Sequence, residues 1–333
     1  MHRVILSARC KHTLLRHAAL ALLLCCGAIS SAWTAPLVLA LSTSPLSLPV
    51  YVAQSQGYFE AEGVQLKVVD VIGGVRTLQQ LRSGEADLAT SSESVVMFNS
   101  FGARDFSLLA SFVTSAEDVR LIVGPGLDPA QPRRLEGKRI GTIVASASHY
   151  YLDTWLLVHG IDPKKITVVS LAPEAMEAAL ASGAVDAVSV WEPFGFKILG
   201  AVPGAKALPN PGAYTLSFNL LVNSRQLGQR DEELTRILKA VDRAERFIKE
   251  RPVEAQTILR DRLHIDQAFV DWIWPRYRFQ LSLNQSLLST LESEARWARS
   301  EGHIKADRIP NFLALFHTGP LRAARADAVG IVK

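Results

Sequence analysis

The stretch Leu81-Arg82-Ser83-Gly84-Glu85-Ala86-Asp87-Leu88-Ala89 recurs later in the chain as Leu180-Ala181-Ser182-Gly183-Ala184-Val185-Asp186-Ala187-Val188. Each copy reads as a helix end, a glycine suited to the left-handed position after the helix, and a short apolar strand. The likeness extends upstream. Residues Leu37 to Leu41 form a buried-strand run, followed by Ser42-Thr43-Ser44-Pro45 and a helical pattern ending near Gly57. Residues Lys138 to Val144 form another, followed by Ser146-Ala147-Ser148 and a helical pattern ending at Gly160. A second strand follows in each copy, Gln65 to Val71 and Ile166 to Leu171. The repeating unit is therefore strand, Ser/Thr loop, helix, strand, helix, Gly-x-x-Asp strand.

Such alternation predicts an α/β fold of parallel sheets with right-handed crossovers. Two units in one chain predict two lobes with a cleft between the carboxyl ends of their strands, where open α/β sheets bind ligands. The turn Gly124-Pro125-Gly126, following Arg120 to Val123, is the expected first crossing between lobes. The return is expected through Pro203 to Pro211 into the apolar run Leu216 to Val222. This assigns residues 36–124 and 216–333 to lobe 1 and residues 125–215 to lobe 2. Beyond Asp231 the chain reads as helical. Leu234, Ile237, Leu238, Val241, Ala244 and Ile248 fall on one face, and Leu287, Leu288, Leu291, Ala295 and Ala298 on another. Both faces are expected to pack on lobe 1.

Composition excludes several classes. The 333 residues are 48% hydrophobic, 20% charged and 8% aromatic, which rules out a disordered or collagenous chain. The formal charge of +4 invites a nucleic-acid reading, but its origin removes it. Arg3, Arg9, Lys11 and Arg16 are the only charged residues before Glu60, so a chain lacking the leader is electrically neutral. The charged start, the apolar run Ala18 to Ala28 and the small residues up to Ala32 predict a signal peptide over residues 1–32, cut after Ala32 rather than Ala35. All three cysteines, Cys10, Cys25 and Cys26, lie in that leader, and Leu24 before Cys25 disfavours lipid attachment. The exported chain then offers no disulfide, thiol nucleophile or Cys-ligated metal.

Ala53-Gln54-Ser55-Gln56-Gly57-Tyr58-Phe59-Glu60-Ala61-Glu62-Gly63-Val64 resembles the A-x-x-x-G-Y-F-x-x-x-G-L signature of periplasmic substrate-binding proteins. The subfamily is the one serving ABC importers for sulfonates, taurine, nitrate and thiamin-precursor pyrimidines. Leu-x-Ser-Gly-x-x-Asp at 81–87, Leu135-Glu136-Gly137-Lys138-Arg139-Ile140-Gly141, and Asp186 through Trp191-Glu192-Pro193 match the same pattern in the same order. The resemblance runs from about Pro36 to Val222. It implies a two-lobe, hinge-closing fold of the type II periplasmic-binding-protein (Venus-flytrap) kind with C-terminal helices. It also implies an ABC permease and its ATPase as partners. Ser146-x-Ser148-His149-Tyr150-x-Leu152 is similar to the Ser/Thr-x-His-Tyr loop of taurine and sulfonate binders. Taurine binders tend to carry alanine where Glu192 stands, and other members carry an acid.

The candidate ligand-binding residues are Thr43, Ser44, Gly74, Ser91, Ser92, Ser146, Ser148, His149, Trp191 and Glu192. Free N–H groups and the dipole at a helix start favour an anion, and serine hydroxyls add donors; the competing role of those serines is ordinary capping. Gly74 admits close backbone approach. Trp191, at the carboxyl end of its strand, is expected to pack against the organic part of a ligand, with core packing as the rival, and Glu192 either to accept from an amine or ring N–H or to cap neighbouring backbone. Asp87 and Asp186 recur but stand at the amino ends of their strands, so they read as structural. Glu117 and Asp118 fall near the hinge without a role. At most one of Tyr150 and Tyr151 reaches the cleft; Trp272, Trp274, Tyr277 and Phe279 read as core.

The sequence therefore points to a monomeric binding protein for a small organic anion, a sulfonate foremost, with nitrate or a thiamin-precursor pyrimidine as alternatives. No cofactor, metal, catalytic residue or nucleic acid is expected: no clustered metal spacing, P-loop or Gly-x-Ser-x-Gly elbow is present. An enzyme of the same fold is the rival from another class. Relatives that make the thiamin pyrimidine use a cysteine-rich iron motif, and no cysteine follows Cys26. A ligand sensor for a membrane kinase is the third possibility.

Overall fold

The computed structural model describes residues 35–102 and 105–332. The leader, its cleavage site and its cysteines lie outside the described residues. In chain order the first unit contains β1 (Leu37–Ser42), α1 (Leu48–Ser55), α2 (Tyr58–Ala61), β2 (Leu66–Val71), α3 (Gly74–Ser83), β3 (Leu88–Ser92), α4 (Glu93–Asn99) and β4 (Phe106–Ser115). The second contains β5 (Val119–Val123), β6 (Arg139–Thr142), α5 (Ala147–Val158), β7 (Thr167–Ser170), α6 (Met176–Ala181), β8 (Ala187–Trp191), α7 (Phe194–Ala201) and β9 (Lys206–Ala207). The chain then returns through β10 (Leu216–Asn223), α8 (Asp231–Glu250), α9 (Pro252–Leu263), α10 (Gln267–Ile273), β11 (Arg278–Asn284), α11 (Gln285–Ser300), α12 (Thr318–Ala324) and β12 (Val329–Gly330).

Two sheets result, with strand orders β12-β11-β4-β10-β3-β1-β2 and β7-β6-β8-β5-β9. The repeat is visible in them: β2-β1-β3 and β7-β6-β8 are parallel triplets of identical order. Gly84 and Gly183 take φ of +83° and +72°, the left-handed conformation that ends α3 and follows α6. Asp87 and Asp186 close the same bond in each copy. Asp87 Oδ2 accepts from the Val38 N–H at 2.9 Å, and Asp186 Oδ2 from the Arg139 N–H at 2.9 Å. Each carboxylate thus satisfies the backbone where its unit's first strand begins.

The structure corrects the expected sheets and the first crossing. The sheets are mixed, because β10 runs antiparallel to β3 and β5 antiparallel to β8. These strands arrive from the opposite lobe and so enter in the reverse direction. The crossing lies at residues 116–118, not at 124–126: the whole run Val119 to Val123 pairs with Trp191 to Ala187 in the second sheet. Gly124-Pro125-Gly126 is a turn inside the second lobe, where Gly124 N–H donates to the Asp186 carbonyl at 2.9 Å. A Gly-Pro-Gly signal marks a change of direction and carries no information about which sheet the preceding strand joins. The return runs between β9, paired with β5, and β10 of the first sheet, over residues 208–215.

The expected apolar face of α8 is buried, as is that of α11. Each buried leucine or isoleucine there contributes about 1.5–3 kcal/mol. The C-terminal region does not pack on the first lobe alone. The Phe269 ring meets Phe196 of the second lobe at 5.1 Å, and Trp272 Nε1 donates to Glu192 Oε1 at 3.2 Å. Tyr277 and Phe279 are buried, whereas Trp272 lies between two guanidiniums, Arg120 at 4.3 Å and Arg276 at 4.1 Å. No helix among the described residues is long and apolar enough to cross a membrane.

Candidate functional site

A cavity lies where the two lobes face one another. The first lobe supplies Ser42 and Ser44 from the end of β1 and its loop, Gly74 and Val75 from the start of α3, and Ser92 from the junction of β3 and α4. The second supplies Ser146 and Ala147 from the start of α5 and Trp191 from the end of β8. The first crossing contributes Asp118, and β10 of the first sheet contributes Leu216 and Phe218. Among the described residues no lysine, arginine or histidine lines the cavity.

Helix starts carry the electrostatics. Ser146 stands at the N-cap of α5 in extended conformation, and its side chain caps none of that helix's N–H groups. Its hydroxyl donates instead to the Ile143 carbonyl at 2.6 Å. The N–H groups of Ala147 and Ser148, the first two of α5, are therefore left without a side-chain cap beside the cavity that Ala147 lines, with the positive end of the helix dipole behind them. Gly73 and Gly74 start α3 in the same way, with no side-chain cap. A Cβ on Gly74 would come within 2.5 Å of Ser91 Oγ and 3.1 Å of Ser91 Cα, so only glycine fits there. Trp191 reaches across from the second lobe: a Cβ on Gly73 would meet its Cζ2 at 3.2 Å.

Five of the ten expected residues line the cavity: Ser44, Gly74, Ser92, Ser146 and Trp191. The other five do not. Thr43 commits its N–H to the Val71 carbonyl at 2.8 Å. Ser91 is fully buried and donates to the Gly74 carbonyl at 3.0 Å, supporting the wall from behind. Ser148 lies under the wall, bonded to Thr142 Oγ1 at 3.0 Å and Ser146 Oγ at 2.9 Å. His149 turns away from the cavity toward Trp297 and His303, with ring centroids at 5.7 and 4.4 Å. Glu192 is fully buried; it accepts from Arg120 Nε at 3.0 Å, Trp272 Nε1 at 3.2 Å and the Phe196 N–H at 2.8 Å. Burial raises the Glu192 carboxyl above its ordinary range, against the pull of those donors. All three donors come from the protein, so Glu192, at the end of β8, ties β5, α7 and α10 together and does not line the cavity.

Asp118 is the residue that sequence reasoning left without a role. It is 1% exposed and lines the cavity. Its Oδ1 accepts from the Tyr277 hydroxyl, and its carbonyl accepts from the Glu192 N–H at 3.0 Å. Its Oδ2 is buried with no protein partner. Burial pushes this carboxyl up to about 7, with the Tyr277 bond opposing. A correct placement of the first crossing would have located it, since Asp118 is the last residue before β5.

Solved structures of other proteins share this architecture. The alkanesulfonate-binding protein SsuA from Xanthomonas axonopodis pv. citri, bound to MOPS, superposes with a TM-score of 0.75 at 18% identity, covering 90% of this chain and 99% of that one. The periplasmic aliphatic sulphonate binding protein SsuA from Escherichia coli gives 0.74 at 15% identity, covering 86% and 93%. These likenesses establish the two-lobe periplasmic-binding-protein fold. In sequence, a Bacillus subtilis (strain 168) protein named "Putative aliphatic sulfonates-binding protein" is 24% identical over 230 residues, 67% of this chain and 69% of that one. The model of the family described as NMT1/THI5 like matches residues 44–255, and the chain belongs to that family.

Proposed function

We propose that this protein is the exported solute-binding component of an ABC importer, capturing a small organic anion, a sulfonate foremost, between its lobes. The observation that carries the reading is the convergence of two uncapped helix starts, those of α3 and α5, on one cavity that no basic side chain lines. A sulfonate has three acceptor oxygens and low proton affinity, so oriented N–H groups and serine hydroxyls suffice to hold it. Ser44, Gly74, Ser92 and Ser146 are the residues placed to do so, and Trp191 packs on the organic part. Ser148 acts through Ser146, holding its hydroxyl in place. The protein works as a periplasmic monomer without a cofactor, and ligand selects the closed arrangement that a permease and its ATPase recognise.

One observation favours a second reading. The orphan Oδ2 of Asp118 calls for a donor, which a plain alkyl sulfonate lacks and an amine or aminopyrimidine supplies. A thermal-shift screen followed by calorimetry separates the readings, since a bound ligand raises the melting temperature by mass action. The panel is alkyl and aryl sulfonates, taurine, nitrate and an aminopyrimidine. Sulfonates are expected to stabilise the protein; silence from every sulfonate overturns the leading reading, and a response to the aminopyrimidine alone establishes the second.

A further inference from the structure

His149 and Asp153 stand one turn apart on α5, so their side chains share a face of that helix. Opposite them is His303, just beyond the end of α11. His303 Nε2 lies 3.1 Å from Asp153 Oδ2, and one ligand atom from each of the three residues falls within 4.8 Å of the others. His149 and Asp153 are buried at 3% and 1% exposure, while a quarter of the His303 side chain is exposed. Two imidazoles and a carboxylate on a buried wall, completed by a residue open to solvent, form the ligand set of a tetrahedral zinc-type ion with one free position.

We propose that His149, Asp153 and His303 form a binding site for a zinc-type divalent cation that fastens the two lobes together. Bonds of about 2.1 Å to a tetrahedral ion set ligand atoms roughly 3.4 Å apart. The Asp153–His303 pair, at 3.1 Å, is within a few tenths of an ångström of that spacing. His149 and His303 must close from the present separation, and His303, the more exposed of the two, is the partner that would shift. His149 Nδ1 holds only a 3.5 Å contact with the Ala145 N–H, at the long limit of a hydrogen bond, so little is lost when an ion takes the ring.

The placement gives the ion its consequence. α5 follows β6 of the second lobe. α11 is anchored to the first lobe through Glu294, which accepts from Ser94 Oγ at 2.9 Å, and through Trp297, 5.7 Å from Phe98. An ion held by all three residues therefore bonds one lobe to the other, on the far side of α5 from the cavity. Metal occupancy would favour the closed arrangement without touching the solute.

Tag-free protein stripped with EDTA tests this by calorimetric titration with Zn²⁺ and by the visible spectrum with Co²⁺. One equivalent of Zn²⁺ is expected, with a tetrahedral-type Co²⁺ band, at least about tenfold weaker in Asp153→Asn and in His303→Ala. The His303→Ala site is partly exposed, and an unchanged melting curve without metal certifies its fold. Zn²⁺ should raise the melting temperature of the parent protein and not that of His303→Ala. Absence of binding to the stripped protein, or affinity unchanged in both variants, overturns the proposal. Because solute binding is not read in this experiment, its outcome is independent of the sulfonate assignment.

Discussion

Arg76 Nη1 lies 2.6 Å from Glu174 Oε1, joining the first turn of α3 in one lobe to the segment before α6 in the other. The pair spans the cleft near the helix start that borders the cavity. Both side chains are partly exposed, at 46% and 38%, so the contact is screened by solvent and salt. It acts as a weak latch on closure. Exposed pairs contribute about 0.2–1 kcal/mol, so Glu174→Gln should weaken solute affinity by no more than about fivefold. Calorimetry at low and high salt checks this: the parent should lose affinity with salt and approach the variant. Equal affinities at low salt would show that the pair contributes nothing to closure.

Gly74→Ala should damage the cavity wall. The new Cβ has nowhere to go but toward Ser91 Oγ, 2.5 Å away in the present backbone. Overpacking of this kind costs about 1–3 kcal/mol. A lowered melting temperature and loss of solute binding are expected together, and Ser91→Ala in the same chain should recover part of both.

Asp118 makes stability depend on pH in a stated direction. Its folded carboxyl titrates near 7, above the ordinary value of 3.8. Between those values the folded state binds more protons than the unfolded one, so this residue's contribution falls as pH rises from about 4 to 7 and is level above. Asp118→Asn keeps an acceptor for Tyr277 and removes the titration. Relative to the variant, the parent should be less stable at pH 8 than at pH 5, by on the order of a few kcal/mol. Melting curves of both proteins across that range test the sign. The same substitution should weaken amine-bearing ligands more than plain alkyl sulfonates.

Asp87→Ala should separate structure from function. It orphans the Val38 N–H and the Gln226 side chain, bonded to Asp87 at 2.9 and 2.6 Å. A loss of about 1–3 kcal/mol in denaturant unfolding is expected. Solute affinity of the folded fraction should stay within about twofold, because the residue sits at the opposite end of the strand from the cavity. A large change in affinity would mean that this end of the sheet also positions the site.

Much of this protein is legible without coordinates, because local patterns depend on nearest neighbours along the chain. The duplicated strand-loop-helix units, the glycines at 84 and 183, the structural role of Asp87 and Asp186, and the apolar faces of α8 and α11 all follow from periodicity and conformational preference. So does the appearance of Ser44, Gly74, Ser92, Ser146 and Trp191 at the carboxyl ends of strands. What periodicity leaves open is which partner a segment meets. Val119–Val123 reads as the same apolar run in either lobe, and only its pairing with β8 assigns it. Ser146 and Ser148 are equivalent as letters, yet one lines the cavity and the other lies beneath it, since a helix turns by a fixed angle per residue. Glu192 has the composition of a ligand contact and the surroundings of an internal brace. Asp118 and the His149–Asp153–His303 cluster owe their chemistry to side chains far away in sequence, Tyr277 and His303, and such long-range burial is decided by tertiary packing alone.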